Sequence, residues 1–182
     1  MTAVVLTPGR GRVLLNFTLF QVGWFVCVLG AARGSTLLPV LYALGVAAVS
    51  LAGSPHRARL LAMLRACSLL GLVVDGLLVA YGSIGFPLDP PAALGMPLWI
   101  GAIWLLFATT FDGCMAWLRD RPALTFVAGA VGSPLSYRAA ESLGALEVRE
   151  GWTHVLAVGL AWGLLLVVQF RMVRAVLPPT DG

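Results

Sequence analysis

Five ionisable residues stand inside stretches of the sequence that are otherwise apolar. They are Arg65, Asp75, Asp112, Arg138 and Glu141. On insertion scales, each such charge costs about 2.5–3.5 kcal/mol near the centre of a membrane helix. A charged side chain at that depth therefore either pairs with another polar group or lines a pocket, where it can hold a ligand or transfer a proton.

The positions of these charges predict two ion pairs between helices. With a rise of about 1.5 Å per residue, Asp75 and Arg138 lie at matching depths, and so do Arg65 and Asp112. We therefore expect Arg138 to contact Asp75 and Arg65 to contact Asp112, since an arginine can bind a carboxylate through two hydrogen bonds. Glu141 follows Arg138 by one turn on the same helix face and is expected to share that arginine.

Further polar residues enlarge the candidate pocket around Asp75 and Arg138. Tyr137 is the neighbour of Arg138, and Asn16 and Gln21 add amide groups on the first apolar stretch. Polar groups that face one another inside a membrane line a cavity more readily than they fill a tightly packed interface between helices. The alternative is that the charges only fix the register of the helices, and both interpretations remain open.

The composition indicates that these residues belong to a membrane protein. Of the 182 residues, 59% are hydrophobic and 11% are charged, whereas soluble domains contain about 25% charged residues. A membrane span needs about 20 mainly apolar residues. We therefore predict an all-α fold, a polytopic transmembrane helix bundle that forms a single domain over residues 1–182. Its six predicted spans cover residues 13–32, 36–53, 60–82, 98–118, 122–146 and 152–173.

The arginines predict the orientation of this bundle. Nine of them fall on one side of the membrane if there are six spans, and Arg33 and Arg149 fall on the other. Because basic residues are enriched on the cytoplasmic side, both termini are predicted to be cytoplasmic. The arginines stand at the ends of spans rather than in a cluster with aromatic residues, so nucleic acid is not an expected partner.

The fifth predicted span is the most polar of the six. Its stretch GAVGSPLSYRAAESLGA, residues 129–145, contains two charges and Pro134. We expect neighbouring helices to surround it, because its apolar side chains do not offset those charges. Pro134 is expected either to kink the helix harmlessly or to break it at a functional gate. Three tryptophans deep in other spans, Trp24, Trp104 and Trp162, are interpreted as packing residues or as the lining of a groove for an acyl chain.

No recognisable catalytic or metal-binding motif accompanies these features. The two histidines, His56 and His154, are predicted to lie on opposite sides of the membrane, so they cannot form a metal site together. The sequence has no HExxH, GxSxG or phosphate-binding glycine loop. We therefore predict no metal and no cofactor, and the residue pattern does not decide whether the protein is an enzyme.

Three separated blocks of the sequence resemble one protein family. They are NFTLFQVGWFVCVLGAA (16–32), WLLFATTFDGCMAWL (104–118) and GAVGSPLSYRAAESLGAL (129–146). In this order they are similar to the bacterial integral-membrane family DUF2878. The resemblance implies a small multi-pass protein of the bacterial inner membrane. Members are often encoded near enzymes that modify fatty acyl chains, which favours a role with lipids, but the family supplies no catalytic residues.

The sequence thus favours a membrane protein with a polar intramembrane pocket that binds a lipid or amphiphile, or helps to process one. Its expected partners are membrane lipids and a further membrane protein. One alternative is a transporter or channel for a small solute, and another is a structural subunit of a membrane complex. A lipid-binding pocket should open sideways to the bilayer, whereas a transporter needs a polar path to both faces.

Overall fold

The computed structural model describes residues 9–87, 92–93 and 95–177. Within these ranges the chain forms six α-helices, so the predicted all-helical fold is confirmed. The helices are α1 (Arg10–Ala32), α2 (Leu37–Ala52), α3 (Arg57–Ala80), α4 (Leu98–Thr110), α5 (Pro122–Ser142) and α6 (Trp152–Val176). A 3₁₀ helix covers Ala116–Leu118, and four two-residue strands are β1 (Ile84–Gly85), β2 (Ala92–Ala93), β3 (Met96–Pro97) and β4 (Glu147–Val148).

Three of these helices are long and apolar enough to cross a membrane. They are α1, α3 and α6, with 23, 24 and 25 residues. Helices α2 and α4 are apolar but shorter, and α5 has 21 residues with a more polar composition. The structure therefore supports a membrane protein, while the six-span topology stays a prediction.

Helix α4 lies at the centre of the bundle and packs against α1, α2 and α3. Its Trp104 and Leu106 are almost completely buried. Lipid tails are as apolar as leucine, so helices in a membrane associate through close packing rather than through the hydrophobic effect. Glycines provide that closeness, because a Cβ atom at Gly71 of α3 would overlap the Trp104 indole and one at Gly23 of α1 would lie 2.7 Å from Leu106.

Helix α5 packs mainly on α6, and glycines again bring the two backbones together. A Cβ atom at Gly129 would lie 2.8 Å from the carbonyl oxygen of Trp162, and one at Gly163 would lie 2.8 Å from the Phe126 ring. Helix α6 thus covers α5 on one side, but Val127, Val131 and Leu135 are more than half exposed, so the expectation that neighbouring helices surround α5 is wrong.

Pro134 does not break α5, which continues from Pro122 to Ser142. A proline has no N–H group, so the carbonyl of Ala130 loses its usual helical donor. Gly159 of α6 lies against that carbonyl, where a Cβ atom would be only 2.6 Å from the oxygen. The freed carbonyl is therefore covered by the neighbouring helix, which favours the harmless kink over the gate.

The predicted fourth span, residues 98–118, is not one helix. Helix α4 ends at Thr110, and a turn and the short 3₁₀ helix follow it. Asn16 of α1 stabilises this break: its Nδ2 donates to the carbonyl of Thr109 at 3.3 Å, and its Oδ1 accepts from the backbone N–H of Cys114 at 2.9 Å. Gly113 leaves room for the Asn16 amide, which a Cβ atom there would overlap. Residues 111–118 are mainly apolar apart from Asp112, so the sequence alone did not indicate that the helix ends at Thr110.

The two ends of the bundle differ in structure. At one end β1 pairs antiparallel with β4, with Ile84 opposite Val148 and Gly85 opposite Glu147. We name this the ribbon end. At the opposite end α1, α3 and α5 begin, and Arg174 forms an exposed ion pair with Asp120 at 3.2 Å. We name this the arginine end.

Candidate functional site

The carboxyl group of Asp75 is the most deeply buried acidic group in the described part of the bundle. Asp75 lies on α3 and is 2% exposed. Its Oδ1 accepts a hydrogen bond of 2.5 Å from the Tyr137 hydroxyl of α5, and its Oδ2 accepts one of 2.8 Å from Trp104 Nε1 of α4. The carboxyl group therefore connects three helices through side chains alone.

Trp162 of α6 completes this cluster. Its Nε1 donates to the Tyr137 hydroxyl at 3.3 Å, and its ring stacks on Trp104 with centroids 4.5 Å apart. We name Asp75, Trp104, Tyr137 and Trp162 the carboxyl cluster. All four members are buried or half-buried, so the hydrogen bonds form where few waters compete and where an unpaired polar group is costly.

A cavity of about 410 Å³ lies beside the carboxyl cluster. Pockets that bind small molecules have volumes of about 300–1,000 Å³, an apolar lining and a few polar groups, and this cavity fits that description. Its lining residues are Phe20, Gln21, Trp24, Phe25, Val28, Asp75, Trp99, Ile100, Ile103, Phe107, Met115, Ala128, Gly129, Gly132, Ser133, Ser136, Tyr137, Ala140, Leu146, Trp162 and Leu166.

The cavity opens sideways between α1 and α5. Gln21 and Phe25 of α1 and Gly132 of α5 line it and are exposed on the outer surface of the bundle. A hydrogen bond of 3.1 Å from Trp24 Nε1 to Ser136 Oγ crosses this opening. Helices α1 and α5 thus face each other across the cavity and do not pack tightly, in contrast to α5 and α6.

Buried residues close the cavity towards both ends of the bundle. Towards the ribbon end, Leu146, Val148 and Ile84 are each less than a tenth exposed. Towards the arginine end lie buried apolar side chains, among them Phe111 and Phe170, together with the buried polar residues Thr110 and Gln169. Within the residues that the structure describes, the exposed part of the cavity lining therefore lies on the side of the bundle, and buried side chains separate the cavity from both ends.

The predicted ion pair between Arg138 and Asp75 is wrong. Arg138 Nη1 instead contacts Glu141 Oε2 at 2.7 Å, on the outer surface of α5. The Arg138 side chain is 43% exposed, whereas the Tyr137 hydroxyl occupies the position next to Asp75. Glu141 does share Arg138, as expected, and its Oε1 also accepts from the backbone N–H of Val148 at 2.8 Å, which attaches β4 to α5.

The second predicted ion pair, Arg65 with Asp112, is also wrong. Asp112 Oδ1 contacts Arg119 Nη2 at 3.2 Å. The aspartate therefore forms an ion pair with a residue of the same segment, the one that connects α4 to α5. Arg65 is exposed on the surface of α3. Because α4 ends at Thr110, Asp112 belongs to the turn at the arginine end rather than to a membrane helix.

Of the remaining predicted site residues, Tyr137 and Gln21 line the cavity, while Asn16 stabilises the end of α4. The sequence interpretation missed the part that tryptophans play in the site. Trp104 and Trp162 donate hydrogen bonds within the carboxyl cluster, and a deep tryptophan needs such an acceptor for its N–H group. This requirement for an acceptor is the feature of the sequence that could have identified Trp104 and Trp162 as members of the site.

The chemistry open to this site is the binding of a polar group by Asp75 and Tyr137, with an apolar chain along the cavity. The described residues include no group of three or more histidine, cysteine or acidic side chains that could hold a metal ion. The carboxyl group could also accept a proton from a bound hydroxyl, since it lies on the cavity wall.

Comparison with known proteins gives one match. The sequence model of a family described as "Protein of unknown function (DUF2878)" matches residues 13–168. No curated protein and no solved structure matches the chain.

Proposed function

This chain belongs to the DUF2878 family, and we propose that it binds a single-chain amphiphile from the bilayer in the cavity beside Asp75. The apolar chain of the ligand lies between α1 and α5, and its polar head reaches the carboxyl cluster. The observation that carries this proposal is a sideways opening combined with a buried carboxyl group on the cavity wall.

The lining of the cavity supports a ligand with a long apolar part. Aromatic and aliphatic side chains from α1, α4 and α6 form much of the wall, and the polar groups are Asp75, Tyr137 and the serines of α5, with Gln21 at the opening. An amphiphile has the same division, with one polar end and one apolar end. Water-soluble ligands have no such division, and they would have to cross lipid to reach the opening.

We further propose that the chain is a six-span protein of the bacterial inner membrane with both termini in the cytoplasm. In this arrangement the arginine end faces the cytoplasm, in agreement with the excess of basic residues on that side of bacterial membrane proteins. Helix α4, 13 residues long, covers about 20 Å at 1.5 Å per residue. The turn and the 3₁₀ helix that follow it complete the passage; Phe111 and Leu118 are buried there, and Asn16 satisfies backbone groups of Thr109 and Cys114, as irregular backbone at membrane depth requires.

A transporter or channel is the second candidate, and the tightly buried side chains at the arginine end argue against it. A solute that passed from the cavity to that end would have to displace buried side chains such as Phe111 and Phe170. A structural subunit is the third candidate, and it leaves the cavity and its buried carboxyl group without a role.

The test is native mass spectrometry of the protein purified in mild detergent, with one variant that fills the opening. Gly132 lines the cavity, and an added side chain would meet no atom within 4 Å of its Cβ, so Gly132→Phe should fold and block the cavity. Gly45 of α2 is also a helical glycine with open space around it. Gly45→Phe is therefore the matched control, exposed on a different helix.

We expect a bound amphiphile with wild type and with Gly45→Phe, and its loss with Gly132→Phe. Bound lipid that persists in Gly132→Phe would show that the cavity is not the binding site. The absence of any amphiphile from wild type, after exchange into lipid nanodiscs as well as detergent, would overturn the proposed function and favour the structural subunit.

A further inference from the structure

We propose that the ligand carries a hydrogen-bond donor as its polar head, a hydroxyl or an amine, and that the site rejects carboxylate and phosphate heads. This inference rests on the proposed function and names the chemical class of the ligand. It follows from the hydrogen bonds and charges around Asp75.

The donors of the carboxyl cluster are already used within the cluster. The indole N–H of Trp104 and the hydroxyl of Tyr137 both donate to Asp75, and the indole N–H of Trp162 donates to Tyr137. At the opening, the indole N–H of Trp24 donates to Ser136. A ligand that offers only acceptors would therefore find no free indole or phenol donor among the carboxyl cluster and Trp24, and the other donors of the lining, on Trp99 and Gln21, stand outside that cluster.

The oxygens of Asp75 and Tyr137, in contrast, have acceptor positions that no donor of the cluster uses. A carboxylate has about four lone-pair sites, and hydrogen bonds from Trp104 and Tyr137 use two of those on Asp75. The Tyr137 oxygen accepts from Trp162 and retains a further lone pair. A hydroxyl or amine on the ligand can donate to these oxygens without disturbing the cluster.

The charges around the cavity agree with this distribution of donors and acceptors. Asp75 is acidic, and the described residues that line the cavity include no arginine or histidine. The neighbouring basic residue on α5, Arg138, lies on the outer surface and contacts Glu141. An anionic head would thus meet a carboxyl group in a medium of low dielectric without a cation to balance it.

The position of the carboxyl cluster fits a head at one end of a chain. Tyr137 and Asp75 lie in the half of the bundle nearer the ribbon, while Phe20 and Phe107 line the cavity nearer the arginine end. A chain that extends from the cluster along these rings keeps its donor at Asp75 and its apolar part against aromatic side chains.

The experiment compares four bromine-labelled probes with the same alkyl chain, ending in an alcohol, a primary amine, a carboxylate or a phosphate monoester. Bromine quenches tryptophan fluorescence on contact, and Trp24, Trp99 and Trp162 all line the cavity. The protein is reconstituted in nanodiscs of a zwitterionic lipid. Gly132→Phe is measured in parallel, so that quenching of the exposed tryptophans by probe dissolved in the lipid can be subtracted.

For wild type we expect the alcohol and the amine to bind at least about tenfold more tightly than the carboxylate and the phosphate, the ratio expected when one buried hydrogen-bonding group is left unpaired. Asp75→Asn, which replaces one acceptor oxygen by a donor group, should reduce this ratio. If that variant does not fold, the wild-type ratio decides alone.

Each outcome separates this inference from the function on which it rests. Equal binding of the four probes, or a preference for the carboxylate or phosphate, would overturn the donor requirement and leave the amphiphile site in place. Quenching by all four probes that is the same in wild type and Gly132→Phe would overturn both. A tighter binding of the amine than of the alcohol would show that the charge of Asp75 contributes beyond the hydrogen bond.

Discussion

Removal of the Asp75 carboxyl group should destabilise the bundle by an amount that the hydrogen bonds determine. In Asp75→Ala, the indole N–H of Trp104 and the hydroxyl of Tyr137 both lose their acceptor. An unsatisfied buried donor costs about 1–3 kcal/mol, so the two together cost about 2–6 kcal/mol. Water that enters the adjacent cavity would bring the loss towards the lower value, because it can accept from both groups.

A double-mutant cycle isolates the contact between Asp75 and Tyr137. Tyr137→Phe alone should cost about 0.6–1.7 kcal/mol, between the average and the largest value measured for hydrogen bonds between membrane helices. In the background of Asp75→Ala the same change removes a hydroxyl that has lost its acceptor, although it also leaves the indole N–H of Trp162 unpaired, so it should cost less than in wild type. The double variant should therefore be more stable than the sum of the single losses predicts, by about 0.5–1.5 kcal/mol.

Reversible unfolding in mixed micelles of dodecyl maltoside and dodecyl sulfate measures these free energies. Gln21→Ala is the control partner, because Gln21 is exposed at the opening of the cavity and should add to Asp75→Ala within about 0.5 kcal/mol. If the losses of Asp75→Ala and Tyr137→Phe were simply additive, the direct contact between carboxyl group and phenol would be refuted.

Three further predictions follow from single contacts, and the same unfolding assay measures each of them. Asn16→Leu should cost about 1–3 kcal/mol, because a carbonyl and an N–H group at the end of α4 lose their partner, whereas Gln21→Leu should change stability by less than about 0.5 kcal/mol; equal effects would refute the role of Asn16. Gly159→Leu should cost about 1–3 kcal/mol or more, since its side chain meets a backbone oxygen, and Gly45→Leu should be tolerated; a tolerated Gly159→Leu would show that the two helices do not approach as described. Arg138→Gln should cost about 0–1 kcal/mol, as for other exposed ion pairs, and a loss above about 2 kcal/mol would indicate a buried partner.

Much of the fold could be predicted because the composition restricts it. Long apolar stretches separated by arginines predict helices, and all six helices begin within three residues of their predicted starts. The C-terminal end of α4 is the exception, because the helix ends at Thr110 whereas the predicted span continues to residue 118. Residues 111–118 are apolar enough to extend a span, and the sequence does not reveal that Asn16, in α1, holds the chain in a turn there. A contact between distant segments decided that boundary.

The candidate site could be predicted only in part, because a tryptophan within an apolar stretch does not stand out from that stretch as a hydrogen-bond donor. Asp75 and Tyr137 were identified from their polarity, and both line the cavity. Trp104 and Trp162 contribute the remaining hydrogen bonds of the cluster. Inside a membrane an indole is both a large apolar surface and a donor that needs an acceptor. A buried carboxylate is therefore as readily satisfied by tryptophan and tyrosine as by arginine.

The error in pairing Asp75 with Arg138 has a geometric cause. Depth along a helix places residues 137 and 138 within about 1.5 Å of each other, but about 100° of rotation separates their side chains. Matching two residues by depth determines their position along the helix axis, but it does not determine the direction in which each side chain points. The sequence does contain a signal for the direction of the side chains. Gly129, Ser133, Tyr137 and Ala140 recur at intervals of one helical turn, and all four are buried in α5. Small residues at that spacing mark the face on which membrane helices pack. The same face turns Tyr137 towards Asp75 and leaves Arg138 outside, so the spacing of small residues, rather than the search for an opposite charge, identifies the partner of a buried carboxyl group.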